Sequence, residues 1–499
     1  MKIIRKRGVY SMDMIVLIEL IIYFVAMIGV GIYFSRKELG YDDYHLGGNK
    51  IPGWALAFSE RSTEASAWLL LGATGFAFST GLSSIWLFIG MLAGIIISWL
   101  FLAKKFMQER IKYNALTLPD YLSARFPKHA NIIRGIGAII IIPFFTLYVG
   151  TQFGGTGQTL EQTMGIKPIV GILIVAVVVV VYSCLGGFLS VVWTDAIQAI
   201  LMVATLVVLP IVALFKIGSL DLSISDALVQ AGNGASSWTG GLTGLGIGLL
   251  IYTNLSWALG YLGGQPHISA RFMALKNEKD AKIGRNAAIL WGVLAYGGAF
   301  LIGITGLTLY GSGGVENVEM ILPFMLTELL PGWLVGILLA GILAAIMSTA
   351  SSQLLVVSTS ICEDILHKVM GLKLNEKQLV LISRISVSVV GLIGLVIGLM
   401  SKSLIYVVIG WAWAGVGNSF AAAILLTFFW KRMSGAGVIA ALLTGFISTI
   451  IWINTPLEGI VTSRGATLVL ALIVGVIVSL AIPEKNDIRA TKSEGLKVT

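Results

Sequence analysis

Residues 59–68 read SERSTEASAW, and Glu60, Arg61 and Glu64 all fall within them, while apolar sequence flanks the stretch on both sides. A charge at membrane depth is expensive, so it is normally retained for a partner, an ion or a pathway. The surroundings make membrane depth the natural reading. The chain has 499 residues, of which 57% are hydrophobic and only 12% charged, and its mean hydropathy is +0.91. A soluble domain carries roughly 25% charged residues. Apolar runs long enough to cross about 30 Å of hydrocarbon as helices recur from end to end.

Periodicity and breakers predict an all-α integral membrane protein with thirteen transmembrane helices, near 12–34, 53–80, 82–103, 133–160, 168–184, 189–216, 240–265, 287–310, 325–360, 379–400, 404–428, 434–454 and 464–482. The connections near 104–132, 217–239, 266–286, 311–324 and 361–378 are the longest, and none reads as a separate soluble domain. The whole of 1–499 is expected to be one membrane domain. Lys and Arg residues cluster after alternate helices: Lys104, Lys105, Arg110, Lys112, Arg125 and Lys128 in one loop, Arg271, Lys276, Lys279, Lys282 and Arg285 in another, then Lys431 and Arg432. Lys485, Arg489, Lys492 and Lys497 follow in the tail. Basic loops face the cytoplasm, which predicts the N-terminus outside and the C-terminus, with a tail over 483–499, inside. Residues 1–11 are basic against that bias, and a second Met opens an apolar run at Met12, so either Met offers a start. The net charge of +9 is accounted for by such loops without nucleic acid. Cys184 and Cys362 lie far apart in apolar contexts and give neither a disulfide framework nor a metal site.

Three further segments carry polar or irregular chemistry. Residues 343–355 (LAAIMSTASSQLL) pack Ser348, Thr349, Ser351 and Ser352 into one helical stretch. Hydroxyls with a few carbonyls suit a small hard cation, or else they bond back to their own helix and ease close packing. Residues 254–267 (NLSWALGYLGGQPH) place Trp257 and Tyr261 on one face, followed by Gly263, Gly264 and Pro266. That arrangement suits either an aromatic wall for a small solute beside a helix break or a packed kink. Asp195, in VVWTDAIQA, follows the Gly186–Gly187 turn and serves either a helix start or a cation. Around Glu60, Arg61 and Glu64 the small residues permit a break whose freed carbonyls become ligands, although an ion pair locking helices together is the simpler use of the charges. No Walker A pattern or TVGYG-like filter occurs. The leading class is a carrier driven by an ion gradient, not an enzyme.

The stretches YDDYHLGGNKIPGW (41–54), SERSTEASAWLLLG (59–72), GGFLSVVWTDAIQA (186–199), WALGYLGGQPHISARFMA (257–274) and GILLAGILAAIMSTASSQLL (336–355) carry a likeness. The chain resembles the solute:sodium symporter family, most closely its bacterial sodium/proline symporter branch. The resemblance implies a LeuT-like fold with an inverted repeat of five plus five helices: helix one near 12–34, a first repeat over about 53–216, a second over about 240–428, and two C-terminal helices over about 434–482. Helices two and seven would be discontinuous. It implies a sodium held by the hydroxyls of Ser348 and Thr349, a carbonyl of Ala345, and carbonyls contributed near Ser62 and Ala65. Asp195, Ser348, Ser351 and Ser352 match the residues with which some relatives hold a second sodium. Ser66, Tyr148, Trp257, Tyr261 and Pro266 match solute positions, and Glu64 stands where the branch has an Asp.

The implied function is sodium-coupled import of L-proline by alternating access, with sodium, the solute and the lipid bilayer as partners and no nucleic acid or obligate protein partner. The chain departs from the branch at Asn49, where an Arg is expected, at the Glu60–Arg61 pair, and at one extra Gly in GYLGGQPH. These departures keep another small amino acid or organic solute open as cargo, and Glu60 or Glu64 keeps proton coupling open. A sensor or channel on the same scaffold is the rival from another class.

Overall fold

The computed structural model describes residues 13–36, 41–47, 50–400 and 404–484. The alternative starts at Met1 and Met12, the departure at Asn49 and nearly all of the basic tail lie outside them.

The described residues form helices and short connections. Helix α1 (Met14–Ser35) starts on Asp13, whose side chain accepts the Ile15 N–H. Then follow α2 (Gly53–Ala67), α3 (Ala130–Met164), α4 (Pro168–Ser219), α5 (Leu245–Leu255), α6 (Pro266–Met273), α7 (Glu278–Tyr310), α8 (Gly332–Thr359), α9 (Glu376–Met400), α10 (Ile405–Phe429), α11 (Gly435–Ile453) and α12 (Ser463–Ala481). Shorter helices such as Leu118–Arg125 and Ile224–Ala231 fill the connections.

The prediction of thirteen transmembrane helices is not met. Among the described residues, ten helical stretches are long and apolar enough to cross a membrane, or eleven when the bent pair Leu245–Tyr261 and Pro266–Met273 counts as one. The difference has two sources. The spans expected at 53–80 and 82–103 lie on one continuous helical stretch, Gly53–Tyr113, and those expected at 168–184 and 189–216 lie on another, Pro168–Ser219. Turns inside both stretches are made by single residues: Ser66 (φ 53°) and Gly81 (φ 66°) in the first, Gly187 (φ 56°) in the second. Left-handed backbone favours glycine, and at Gly187 a Cβ would stand 2.6 Å from the Tyr44 ring. The first five expected repeat helices therefore occupy three continuous stretches rather than five separate rods.

Helix α8 is the centre of the molecule. Its most apolar window is 89% buried, against 28% for α1, and it packs on α4, α3, α2 and α1. A helix apolar all round belongs inside a large core. By contrast α9 leaves Leu381, Ile385, Val389, Leu392 and Val396 exposed, a three-to-four-residue spacing that gives one apolar face for lipid.

Polar α2 is buried along nearly its whole length, because its neighbours α4, α7 and α8 are protein rather than lipid. The bent pair α5–α6 turns by 45°, and glycine admits α10 at that turn. A Cβ at Gly260 would overlap the Trp413 indole, and one at Gly264 would overlap the Gly417 carbonyl.

Candidate functional site

The break in α2 sets the geometry. Ser66 takes φ 53°, ψ −176°, so the helix cannot continue its hydrogen-bond ladder there. The Ala67 N–H, which in an unbroken helix would donate to the Thr63 carbonyl, donates instead to Gln152 Oε1 on α3 at 2.9 Å. Carbonyls at a helix end need other partners, and α8 supplies them. Ser348 Oγ donates to the Ser62 carbonyl at 3.0 Å and lies 3.2 Å from the Ala345 carbonyl. Thr349 Oγ1 donates to the Thr63 carbonyl at 2.7 Å and lies 3.0 Å from that of Ala345. Both hydroxyls are fully buried. Ser62, Ala345, Ser348 and Thr349 thus converge, with Thr63 as an addition that sequence reading passed over. Ala65 sits in the break, but its carbonyl accepts the Trp68 N–H. The group offers only uncharged oxygens, and unwound carbonyls beside hydroxyls are a recurrent way of holding a sodium ion.

A second polar knot joins four helices. Asp195 of α4 forms an ion pair with Arg271 of α6, with Nη2 and Oδ2 3.1 Å apart. The same carboxylate oxygen accepts from Ser59 Oγ at 2.6 Å and Thr63 Oγ1 at 3.1 Å. Arg271 also donates to Ser59 Oγ at 3.0 Å, to the His267 carbonyl at 2.7 Å and, closely, to Ser352 Oγ. The other Asp195 oxygen is buried with no hydrogen-bond partner among the described residues. Of the four residues matched to a second sodium, Asp195 and Ser352 meet, with Ser352 Oγ 3.4 Å from Asp195 Oδ2. Ser351 Oγ donates to the Ser348 carbonyl at 3.0 Å, Ser348 faces α2, and a guanidinium stands beside Asp195. Sequence reading counted Arg271 among loop cations; it is 1% exposed. The missed signal was Pro266, a residue suited to the first turn of a helix, which puts Arg271 on α6 and not in a loop.

Beyond the break lie the charges that opened the sequence. Arg61 lies between two carboxylates: Nε donates to Glu60 Oε2 at 2.5 Å, Nη2 pairs closely with Glu60 Oε1, and Nη1 stands 3.3 Å from Glu64 Oε2. Trp99 Nε1 also donates to Glu60, at 3.2 Å. Glu60 is therefore saturated. Glu64 Oε2 accepts from Tyr296 of α7 at 2.8 Å, and Tyr296 in turn meets the Tyr261 hydroxyl at 2.9 Å. Glu64 Oε1 is buried with no hydrogen-bond partner among the described residues. Tyr296 is a further residue that sequence reading missed, since one Tyr among small residues carries no signal.

Aromatic rings surround the break. Tyr148 donates to Ser66 Oγ at 3.1 Å. Trp257 lies 4.4 Å from the ring of Trp68 and 5.5 Å from that of Tyr406, and its Nε1 donates to the Tyr406 hydroxyl at 3.3 Å. Along α2 and just beyond its break, Glu64 thus meets Tyr261 through Tyr296, Ser66 meets Tyr148, and Trp68 meets Trp257. Pro266 instead lines a small pocket with Arg271, Ser352, Thr359 and Asp364.

Comparison with known proteins bears on what this arrangement does. The family model described as "Sodium:solute symporter family" matches residues 44–445. The chain is 36% identical to the osmoregulated proline transporter OpuE of Bacillus subtilis (strain 168), over 94% of this chain and 95% of that protein. It is 33% identical to the sodium/proline symporter of Escherichia coli (strain K12), over 87% of each. Among solved structures it is similar to a sodium-coupled sialic acid symporter in a substrate-bound outward-open state, with TM-score 0.78, 23% identity, and coverage of 94% of this chain and 98% of that one. It is also similar to Mhp1, a nucleobase-cation-symport-1 family transporter, with TM-score 0.54, 14% identity, and coverage of 90% and 97%. The structural likenesses bear on the fold alone.

Proposed function

The chain belongs to the sodium:solute symporter family, a family of sodium-coupled transporters, and on that footing we propose that it imports L-proline with sodium by alternating access. The observation that carries the sodium half is the convergence of Ser348 and Thr349 on the carbonyls freed by the break in α2. One sodium, held by those hydroxyls with the carbonyls of Ser62, Thr63 and Ala345, would bridge α2 and α8 and stabilise the form that accepts solute. Arg271 already supplies the positive charge beside Asp195, which favours one coupling ion over two.

The solute half rests on the region around Ser66. Trp257, Tyr261 and Tyr148 offer apolar ring surface to a pyrrolidine. The unpartnered oxygen of Glu64 suits the solute's ammonium. Relatives named as proline transporters point to the same cargo for this chain. With the N-terminus outside and the C-terminus inside a bacterial cytoplasmic membrane, a negative interior adds about 2.3 kcal/mol per sodium charge per 100 mV. Sodium and solute must tighten one another's binding by the same factor.

Uptake of radiolabelled solutes into proteoliposomes, with sodium and with choline at fixed pH, tests this reading. Sodium-dependent, concentrative proline uptake supports it, and proline uptake that survives choline replacement refutes it. Parallel sodium and proline fluxes are expected in a ratio of one. A ratio of two would mean that Arg271 leaves Asp195 during the cycle.

A further inference from the structure

The first turn of α12 carries Arg464, which is 8% exposed. Its guanidinium carbon lies 4.2 Å from the centroid of the Trp257 ring. Among the described residues it makes no ion pair and no hydrogen bond, and its Nε is buried with no partner. The nearby carboxylate of Glu458 is engaged elsewhere, accepting the Ser463 N–H at 2.7 Å and the Thr462 hydroxyl at 3.5 Å. Burying a cation without a counter-charge is strongly unfavourable, and a ring face offsets only part of the loss. The other buried guanidiniums near the site have carboxylates, Arg61 with Glu60 and Glu64, and Arg271 with Asp195. Arg464 is the exception among these three.

Its surroundings indicate what completes it. Gly410 of α10 leaves the edge of the guanidinium open: a Cβ there would stand 3.0 Å from Arg464 Nη1 and 3.5 Å from the Trp257 ring. One turn earlier on α10, Tyr406 accepts from Trp257 Nε1. Arg464 therefore shares Trp257 and α10 with the aromatic wall around the break, although α12 lies outside both expected repeats.

We infer that Arg464 binds the carboxylate of the solute, presenting its fork beside Trp257. A planar guanidinium pairs with a carboxylate through two parallel hydrogen bonds, which a lysine cannot reproduce. The inference deepens the proposed solute site and rests on that reading, naming the carboxylate as the feature through which α12 selects cargo.

The test uses full-length protein in proteoliposomes, comparing wild type, R464Q and R464K. A solute panel first identifies what the wild type concentrates with sodium. If that is not proline, the functional reading fails at this step, and the comparison of variants proceeds with the solute found. Uptake of that labelled solute is then competed with the unlabelled solute and with its carboxamide, L-prolinamide in the case of proline. In wild type the carboxylate form should compete at least tenfold better than the amide. R464Q should bring that ratio close to one and R464K should recover only part of it, with the sodium concentration for half-maximal uptake unchanged in both. Retention of the wild-type ratio by R464Q overturns the inference. So does equal weakening of both competitors, which would make Arg464 a support for the Trp257 ring. Wild-type protein that does not discriminate the two forms overturns it as well.

Discussion

Two polar groups sit side by side on α2 and solve the problem of membrane depth differently. At the end facing α8, Ser348 and Thr349 meet the carbonyls of Ser62 and Thr63, and no charge is involved. On the face toward α4 and α6, Asp195 and Arg271 cancel one another, with Ser59, Thr63 and Ser352 supporting the pair. The first is an oxygen set at a helix break that a cation can enter without displacing a salt bridge. The second already contains its cation. Thr63 joins them, its carbonyl facing the first and its hydroxyl the second. Similar polar sequence can thus build an uncharged oxygen set, proposed above as the ion site, and a bolt that holds helices, and the difference lies in whether opposite charges meet.

The largest expected effect breaks the bolt. Arg271→Gln leaves Asp195 buried without its counter-charge, and removing one partner of a buried pair costs about 3–5 kcal/mol. Thermal unfolding of the detergent-purified protein should show the loss, and adding Asp195→Asn should restore most of it. An R271Q protein as stable as wild type would show that the pair is not the closed unit drawn here.

Next, Ser348→Ala or Thr349→Ala should raise the sodium concentration for half-maximal uptake by about tenfold, a change of about 1.4 kcal/mol. Thr349→Ser keeps the hydroxyl and should stay near wild type. Unchanged sodium dependence in correctly folded alanine variants would remove these side chains from the ion site. Trp257→Ala sharpens the division between ion and solute. Its KM for solute should rise about fivefold, in line with loss of an aromatic contact worth roughly 0.5–1.5 kcal/mol, with little change in sodium dependence. An equal rise in both would place the ring on the shared path of ion and solute. Smallest is Tyr296→Phe, which deletes the donor to Glu64. The net value of one hydrogen bond, about 1 kcal/mol, predicts up to a fivefold rise in solute KM, measured by uptake at saturating sodium. No change would show that Glu64 holds its place through Arg61 alone.

Much of this was legible in the sequence. Long apolar runs mark helices because hydrocarbon leaves no other partner for backbone amides. The polar stretch at 59–68 and the Gly- and Pro-rich stretch at 257–266 mark the places where α2 and α5–α6 depart from straight helices. The number of separate helices was not legible. Local periodicity does not report whether one residue such as Gly187 turns a continuous chain or a loop separates two rods. Arg271 was misread for a related reason: a cation just beyond an apolar run looks the same in a basic loop as in a buried pair. Pro266 matched a solute position by sequence yet faces the cavity beside Arg271.

The sequence by itself determined that the chain spans a membrane, that polar residues at 59–68 and 348–352 needed partners there, and which family it belongs to. Burial follows from local composition, which adds up along the chain. The tertiary structure alone decided the partners: Arg271 for Asp195, Tyr296 for Glu64, Trp68 for the Ala65 carbonyl and, among the described residues, the Trp257 ring but no carboxylate for Arg464. Pairing depends on how the segments beyond each break are aimed, and one left-handed residue, such as Ser66, redirects every side chain after it.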